Sequence, residues 1–275
     1  MNIDQPKDMP AGAAVARSDG RPLAIVTGGA RRTGLAVALA FARAGYDLAL
    51  HYWKSTDEAA DAIRQIESLG ARAHGFPADL ADSGQAQRLI DAVFDEFGRV
   101  DVLVNSASVF FQDRLDDFRI EDLDRTWQLM CRGPILLIRS LYHRAKREGR
   151  EAAVINIVDQ KVQDNYHFDH FSYTVAKTAL GRLTTMLAVS TRPVLRINAI
   201  YPGLLLPSDT QTEQDFEFAA RNSNVLGYTA TPDDVAAAAL ELCSPRYCGS
   251  ELVLDAGQNL LPVEEDVIYK YRRQN

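Results

Sequence analysis

Tyr173 and Lys177 are the two side chains whose types and spacing best suit acid–base chemistry. They are separated by four positions, so on a helix they lie on one face. A lysine ammonium beside a tyrosine favours the phenolate and lowers the pKa of the hydroxyl from about 10. Tyr173 would then donate a proton near neutral pH. A Tyr-x-x-x-Lys pair occurs by chance in many helices, so its meaning depends on the surrounding fold.

A second chemical signature is the glycine-rich segment at residues 27–34, Thr-Gly-Gly-Ala-Arg-Arg-Thr-Gly. It lies between an apolar run and a helical pattern. A tight turn at this point leaves backbone N–H groups and the helix N-terminus facing outward, which suits a diphosphate. Glycine lets the backbone approach such a ligand closely. The alternative interpretation is an ordinary connection between a strand and a helix.

The segment after the second apolar run indicates which dinucleotide would bind. It reads His-Tyr-Trp-Lys-Ser at residues 51–55, and no carboxylate follows until Asp57. Folds that prefer NAD carry Asp or Glu here to bind the ribose 2′-hydroxyl. The groups that could instead neutralise a 2′-phosphate are Lys54, Ser55 and His51, with Arg31 or Arg32. The segment therefore predicts NADP(H), the alternative being a solvated loop with incidental charge.

The composition of the 275-residue chain excludes several function classes. Its 47% of hydrophobic residues can build a core without a metal or a disulfide. The formal net charge of −7 argues against nucleic-acid binding, which needs clustered Lys and Arg. Three cysteines without metal-ligand spacing favour a reduced environment. No segment approaches the ~20 apolar residues that span a bilayer. We expect a cytoplasmic protein with no metal, membrane or nucleic-acid partner.

Apolar runs alternate with helical patterns from residue 22 onward. Strands are expected at 23–26, 47–51, 71–76, 100–104, 153–158, 194–200 and 251–254, and helices at 35–44, 57–69, 83–97, 121–148, 172–190 and 232–243. This alternation predicts βαβ units, and continuous apolar strands predict a parallel sheet covered on both faces. The fold class expected is α/β, a single doubly wound Rossmann domain with a seven-stranded parallel sheet.

The domain organisation follows from the same pattern. Residues 1–20 are expected to form a disordered leader without the apolar core of a secretory signal. Residues 21–262 would form the NADP-binding domain, and 263–275 a tail with aromatic and basic residues that reaches a neighbouring subunit. Residues 204–230 show no strong periodicity, so we expect an irregular lid over the site.

Four features in this order resemble the short-chain dehydrogenase/reductase family over residues 22–260. They are the glycine turn, Asn105-Ser106-Ala107-Ser108 after the fourth strand, Tyr173 with Lys177, and Pro202-Gly203 after the sixth strand. The resemblance implies a cofactor site formed by Gly28, Arg31, Arg32, Gly34, His51, Trp53, Lys54, Ser55, Asp79, Leu80, Asn105, Ser106, Ala107, Tyr173, Lys177, Pro202 and Gly203. In it Asp79 would bind the adenine, although it could also cap the following helix.

Within that family the chain looks most like pteridine reductases and bacterial dihydropterin reductases. Arg32 stands at their matching arginine, and Ser108 and Phe110 stand where they contact a pterin. Asp159 replaces the catalytic serine of the wider family, as it does in a pteridine reductase. The resemblance implies catalysis by Asp159, Tyr173 and Lys177. It also implies a substrate site formed by Arg32, Ser108, Phe110, Asp159, Tyr173 and Leu204.

The implied reaction is hydride transfer from NADPH to a C=N carbon of a pteridine. Tyr173 would deliver the proton with support from Asp159 and Lys177, and Lys177 would bind the nicotinamide ribose. The family also implies a homotetramer that buries helices around 105–148 and 172–190. The alternative functions are a carbonyl reductase for a ketone or 3-oxoacyl group, and an NADP(H)-sensing regulator without turnover.

Two positions depart from the family pattern. Met130 stands where the family has an asparagine that supports the lysine through a water, and a thioether is a poor substitute. The interval from Asp159 to Tyr173 is one residue longer than usual, so Gln160 could occupy the serine position instead. His167 and His170 flank Asp169 just before Tyr173, and we expect a polar rim there rather than a metal site.

Overall fold

The structure, a computed structural model, describes residues 20–208 and 211–267. Its centre is a sheet of seven strands, β1 (Leu23–Thr27), β2 (Asp47–Tyr52), β3 (Ala73–Pro77), β4 (Val102–Asn105), β5 (Ala152–Ile157), β6 (Leu195–Pro202) and β7 (Glu251–Leu254). All neighbouring strands pair in parallel in the order β3-β2-β1-β4-β5-β6-β7. The order reverses between β1 and β4, which opens a crevice at the carboxyl ends of the strands.

Helices cover both faces of this sheet. Among the described residues they are α1 (Arg32–Arg43), α2 (Thr56–Ser68), α3 (Ser83–Phe97), α4 (Ile120–Trp127), α5 (Gly133–Glu148), α6 (Phe171–Thr191), α7 (Glu213–Asn222) and α8 (Pro232–Leu242). Alternate residues of β1 enter different cores. Val26 packs with α1, α2 and α8, and Ile25 packs with α3 and α5. A strand buried on both faces must be apolar throughout, which explains the continuous runs in the sequence.

The predicted fold class is confirmed, and the strands begin and end within three residues of the expected positions. The expected helical stretch 121–148 is continuous, although its turn at Gln128–Arg132 is π-helical. One expectation about helices was wrong. The segment expected to be irregular contains α7, which begins with a capping box between Thr212 and Asp215.

The expected leader lies outside the described residues except for its last residue, and so does the tail from residue 268 onward. The tail residues that are described fold back onto the connection between β5 and α6. There Phe168 donates its N–H to Glu264 O, 2.8 Å. No helix of the part of the chain that the structure describes is both long and apolar enough to cross a membrane.

Candidate active site

Tyr173 and Asp159 meet at the carboxyl end of β5. Tyr173 lies in the first turn of α6 and donates its hydroxyl to Oδ2 of Asp159, 2.8 Å. The other carboxylate oxygen, Oδ1, accepts the N–H of Lys161, 2.8 Å, and this bond fixes the carboxylate at the start of a short 3₁₀ turn. Gln160 is buried and accepts a hydrogen bond from Asn165 instead. Of the two candidates for the serine position, Asp159 is therefore the one that faces the tyrosine.

Lys177 lies one helical turn beyond Tyr173, on the same face of α6. Its ammonium donates to the carbonyl of Ile157, 2.7 Å, and lies 5.7 Å from the centroid of the tyrosine ring. Burial lowers the pKa of Lys177 to about 8, and the charge of Asp159 only partly opposes this shift. The structure thus brings a phenol, a carboxylate and an ammonium together beside the crevice of the sheet.

The direction of the pKa shift at Tyr173 differs from the expected one. Burial raises the pKa of Tyr173 well above its ordinary value, and the charge and hydrogen bond of Asp159 raise it further. The expectation that Lys177 would lower this pKa was wrong, because desolvation and a neighbouring carboxylate both disfavour the phenolate. Tyr173 is consequently a neutral hydroxyl that donates to a carboxylate.

Phe110 forms a wall of the site next to the tyrosine. Its ring meets the Tyr173 ring edge-on at 4.6 Å between centroids and lies 4.1 Å from the imidazole of His170. The side chain is 49% exposed, so one surface of the ring stays open toward the crevice. Ser108 is less available than expected, because its hydroxyl donates to Sδ of Met130 at 3.0 Å.

Met130 lies in the π-helical turn between α4 and α5 and is fully buried. It packs with Cys131, Tyr173 and Ala176 in one apolar cluster. The position that the family fills with an asparagine is thus occupied by a side chain that seals the back of the tyrosine against water. A thioether here cannot hold the water that an amide would hold.

His167, Asp169 and His170 form a buried cluster below the site and not the expected rim. The imidazoles of His167 and His170 lie 3.7 Å and 3.9 Å from the carboxylate of Asp169. Burial lowers the pKa of His167 to about 3 and also lowers that of His170, so both rings are neutral near pH 7. Asp169 also accepts the N–H of Asp266, 3.0 Å, from the tail. Within the described ranges no group of residues could hold a metal ion.

His51 holds the glycine turn in place. Its Nδ1 accepts the N–H of Gly28, 3.1 Å, and its Nε2 donates to the carbonyl of Ala78, 3.0 Å. Burial lowers the pKa of His51 to about 4, so the ring carries no charge near pH 7. The expectation that His51 helps neutralise a 2′-phosphate is therefore wrong, because both nitrogens are used within the protein and the ring is neutral.

The glycine turn leaves the start of α1 open. The N-cap residue, Arg31, makes no side-chain cap, and its guanidinium pairs with Glu58, 3.6 Å. Arg32 has a left-handed backbone (φ 53°) and donates to the carbonyl of Pro207, 2.9 Å, which ties the turn to the segment before α7. Uncapped amides at the N-terminus of a helix fit a diphosphate.

The segment after β4 is fastened to the glycine turn. Thr27 Oγ1 accepts the N–H groups of Ser106 and Ala107 at 2.9 Å and 3.1 Å. Gly28 has a left-handed backbone (φ 64°), and a Cβ added there would lie 3.0 Å from Cα of Ala107. Asn105, expected at the cofactor, is buried and donates to Asn156 Oδ1, 2.8 Å. Its side chain therefore joins β4 to β5.

At the far end of the crevice, Asp79 is bound by a residue that the sequence analysis missed. Arg125 Nη1 donates to both carboxylate oxygens of Asp79, 2.8 Å each. Burial alone would raise the pKa of Asp79, but the hydrogen bonds from Arg125 and from the N–H of Ala81 lower it overall. Asp79 does not cap α3, because Asp82 does so. No sequence motif marks Arg125, which lies 46 positions from its partner.

The remaining residues that were predicted to bind the cofactor or the substrate differ in burial and in hydrogen bonding. Leu80 is buried in the core, so only its backbone can face a ligand. Ser55 precedes α2 without capping it through its side chain. Pro202 ends β6, and the next two amides are held by β7 and the turn beyond it. Gly203 donates its N–H to Leu254 O, 3.0 Å, and Leu204 donates to Gln258 Oε1, 2.8 Å.

A family profile and curated dehydrogenases match most of this chain. Residues 28–259 match the family profile described as Enoyl-(Acyl carrier protein) reductase. D-threitol dehydrogenase of Mycolicibacterium smegmatis is 31% identical, over 89% of this chain and 95% of its own length. 3beta-hydroxysteroid dehydrogenase 1 of Eggerthella lenta is 29% identical, over 86% of this chain and 94% of its own.

Two solved structures resemble the fold closely. FolM Alternative dihydrofolate reductase 1 from Brucella canis, complexed with NADP, superposes with a TM-score of 0.82 at 32% identity, covering 87% of this chain and 94% of that one. A short chain dehydrogenase from Burkholderia cenocepacia, also in complex with NADP, has a TM-score of 0.79 at 29% identity, covering 87% of this chain and 98% of that one.

Proposed function

Since the chain belongs to the short-chain dehydrogenase/reductase family, we propose that it is an NADPH-dependent reductase that transfers hydride to a C=N bond of a pteridine, converting a dihydropterin to a tetrahydropterin. The observation that carries this proposal is the hydrogen bond between Tyr173 and the Asp159 carboxylate. A ketone presents only an oxygen acceptor, which a neutral hydroxyl serves better. A pterin presents ring nitrogens and an amino group, and a carboxylate can bond these in either protonation state.

The cofactor proposal, NADP(H), is supported by the chemistry of the crevice and by relatives solved with NADP. When bound, the reduced dinucleotide supplies the hydride from its nicotinamide ring. The open amides at the start of α1 would bind the diphosphate. Lys54 and Ser55 would bind the 2′-phosphate, and Lys177 would bind the ribose hydroxyls near Tyr173.

The protein's own residues would handle the proton. The pKa of Tyr173 is raised by burial and by Asp159, so the hydroxyl keeps its proton until a ring nitrogen of the substrate accepts it. Asp159 would hold the tyrosine in position and bond the amino side of the pterin. The half-exposed ring of Phe110 would stack on the pterin, which contributes roughly 0.5–1.5 kcal/mol beyond its buried area.

The test follows the loss of NADPH absorbance when the purified full-length chain meets dihydrobiopterin, dihydromonapterin or dihydrofolate. We expect turnover and inhibition by antifolates. Tyr173→Phe should reduce kcat by about 10²- to 10⁴-fold, the usual contribution of a proton donor, and leave NADPH binding intact. For the second variant, Asp159→Ser, the control is Asp116→Ser, which removes the carboxylate of an exposed aspartate. Absence of turnover with every pteridine would contradict the proposal.

A carbonyl reductase of the same family is the second candidate. It is favoured by relatives whose names denote steroid and sugar-alcohol dehydrogenases. Asp159→Ser separates the two functions. If the natural substrate is a pteridine, this variant should lose pteridine turnover. If it is a ketone, the variant should raise ketone activity rather than abolish turnover. NADPH binding without oxidation across both substrate panels would instead favour a cofactor-sensing regulator.

The proposed enzyme is a cytoplasmic homotetramer that acts on a small molecule. Support for assembly comes from α6, whose outward-facing residues include Met186 and Val189, which are 54% and 65% exposed in the single chain.

A further inference from the structure

Arg125 occupies a junction between three segments at the adenosine end of the crevice. It lies in the second turn of α4, and its Nη1 bonds both oxygens of Asp79 after β3. Its guanidinium carbon lies 4.4 Å from the centroid of the Trp53 ring, in the loop after β2. One arginine thus joins the two loops that would enclose an adenosine bound at the crevice.

The same indole ring carries a second cation. Lys54 Nζ lies 4.0 Å from the centroid of Trp53. Asp79 compensates only one of the two positive charges, so one positive charge remains at this end of the crevice. Trp53 is 48% exposed, and the Arg125 side chain is 26% exposed. The Trp53 ring and the Arg125 guanidinium can therefore contact a bound ligand while they contact one another.

The guanidinium also has hydrogen-bonding capacity left. Among the described residues, only Nη1 of Arg125 donates hydrogen bonds, and Nε and Nη2 make none. A guanidinium presents its donors in a planar fork that matches two phosphate oxygens. A phosphate monoester carries about −1.5 to −2 charges near pH 7, which complements the remaining positive charge.

We propose that Arg125 is a specificity-determining residue that, with Lys54, binds the 2′-phosphate of NADPH across the Trp53 ring. Asp79 holds the guanidinium at this position before the nucleotide arrives. The inference rests on the proposed use of NADPH, but it does not depend on the identity of the substrate that is reduced. If Arg125 had only a structural role, that role would be its partly exposed ion pair with Asp79. Such pairs contribute little to folding stability.

The experiment measures nucleotide binding by calorimetry and needs no turnover. Arg125→Met keeps the aliphatic stem that covers Trp53 and removes the charge. The ligands are two pairs that differ only in the 2′-phosphate, 2′,5′-ADP with 5′-AMP and NADP⁺ with NAD⁺. Arg119→Met is the matched control, because Arg119 precedes the same helix and, within the described part of the chain, forms ion pairs with only Glu121 and Asp122 at the surface.

We expect Arg125→Met to weaken the binding of 2′,5′-ADP and NADP⁺ by about tenfold or more and to change the binding of 5′-AMP and NAD⁺ by less than about twofold. Arg119→Met should change neither pair. Equal weakening of both ligand pairs would overturn the inference, as would no weakening. If Arg125→Met does not fold, Arg125→Lys replaces it, and a smaller loss confined to the phosphorylated ligands is expected.

The control for the underlying assumption is the wild-type protein. If the wild type binds 2′,5′-ADP no better than 5′-AMP, the proposed use of NADPH fails together with the inference. If the wild type prefers the phosphorylated ligand and Arg125→Met keeps that preference, only the role of Arg125 is wrong.

Discussion

Lys177 is a cation that the fold holds almost completely out of water. It is 3% exposed, and its hydrogen bond to the Ile157 carbonyl replaces only part of its lost hydration. The pKa of about 8, against 10.5 in an unfolded chain, reflects this desolvation. Charging the lysine therefore costs folding free energy, which gives the stability of the protein a characteristic pH dependence.

Between pH 8 and about 10.5 the unfolded chain binds more protons at Lys177 than the folded chain does. The free energy of unfolding should therefore rise with pH across this window, by about 1.4 kcal/mol per pH unit from this group. Urea denaturation at about pH 7.5 and about pH 9.5 would measure the rise. Lys177→Met should remove this part of it.

The control for that prediction is Lys54→Met, which changes an exposed lysine and should leave the slope unchanged. The variants are compared with one another, because burial raises the pKa of Cys131 to about 11 and that of Cys243 to about 12, and both thiols lower the free energy of unfolding above about pH 9. Measurements stay below pH 10, because burial raises the pKa of Tyr46 to about 12 and this tyrosine destabilises the fold at higher pH. An identical slope in wild type and Lys177→Met would contradict the prediction.

For single residues, the sequence could identify the reactive side chains but not the burial and the partners that set their pKa values. Tyr173 and Lys177 follow from helical spacing, and Asp159 follows from the family resemblance, in which it takes the place of the catalytic serine. The pKa direction of Tyr173 and the neutrality of His51 depend on burial and on partners brought together by folding. Arg125 could not be predicted, because its partner Asp79 is distant in sequence and no periodicity relates them.

At the scale of elements, the glycine turn depends on close approach between the turn and α1. A Cβ added at Gly34 would overlap the carbonyl oxygen of Gly28, which is backbone and cannot move independently. Gly34→Ala should therefore distort the turn and misalign the open amides of α1. We expect it to lower stability by about 1–3 kcal/mol and to weaken binding of NADP⁺ and NAD⁺ alike.

Gly84→Ala is the matched control for Gly34→Ala, since both glycines lie in the first turn of a helix. A Cβ at Gly84 would lie 3.0 Å from the end of the Arg88 side chain, which can move away, and 3.3 Å from Oδ1 of Asp82, which is a side-chain atom and not backbone. Thermal unfolding and calorimetry should show the control close to wild type. Nucleotide binding by Gly34→Ala at wild-type strength would contradict the assigned role of the turn.

Element boundaries were predictable where apolar periodicity dominates and not where capping does. The strands and α3 follow from their hydrophobic patterns. Helix α7 was missed because its first turn depends on the hydrogen bonds between Thr212 and Asp215, while its apolar residues are few. The π-helical turn at 128–132 was missed because its residues also suit an ordinary helix.

At the scale of the whole molecule, the sheet and its two cores account for the buried apolar residues, but α6 has a second apolar face. Helix positions that point away from the sheet and border a groove of about 610 Å³ include Phe171, Thr174, Val175, Thr178, Ala179 and Arg182. Trp127 of α4 borders the same groove and is 41% exposed. We propose that this apolar groove, with the exposed Trp127 at its border, is part of a subunit interface.

The expected homotetramer would bury this face by packing α4 and α6 against their copies. Val175→Asp places a charge at the centre of the face without touching Tyr173 or Lys177, whose side chains point to the other side of α6. It should shift the assembly toward dimers or monomers, because a buried unpaired carboxylate at an interface costs several kcal/mol. Light scattering coupled to gel filtration measures the mass, and Ala60→Asp on the exposed side of α2 controls for added charge. A wild-type monomer, or a tetramer that survives Val175→Asp, would show that this apolar face has another role.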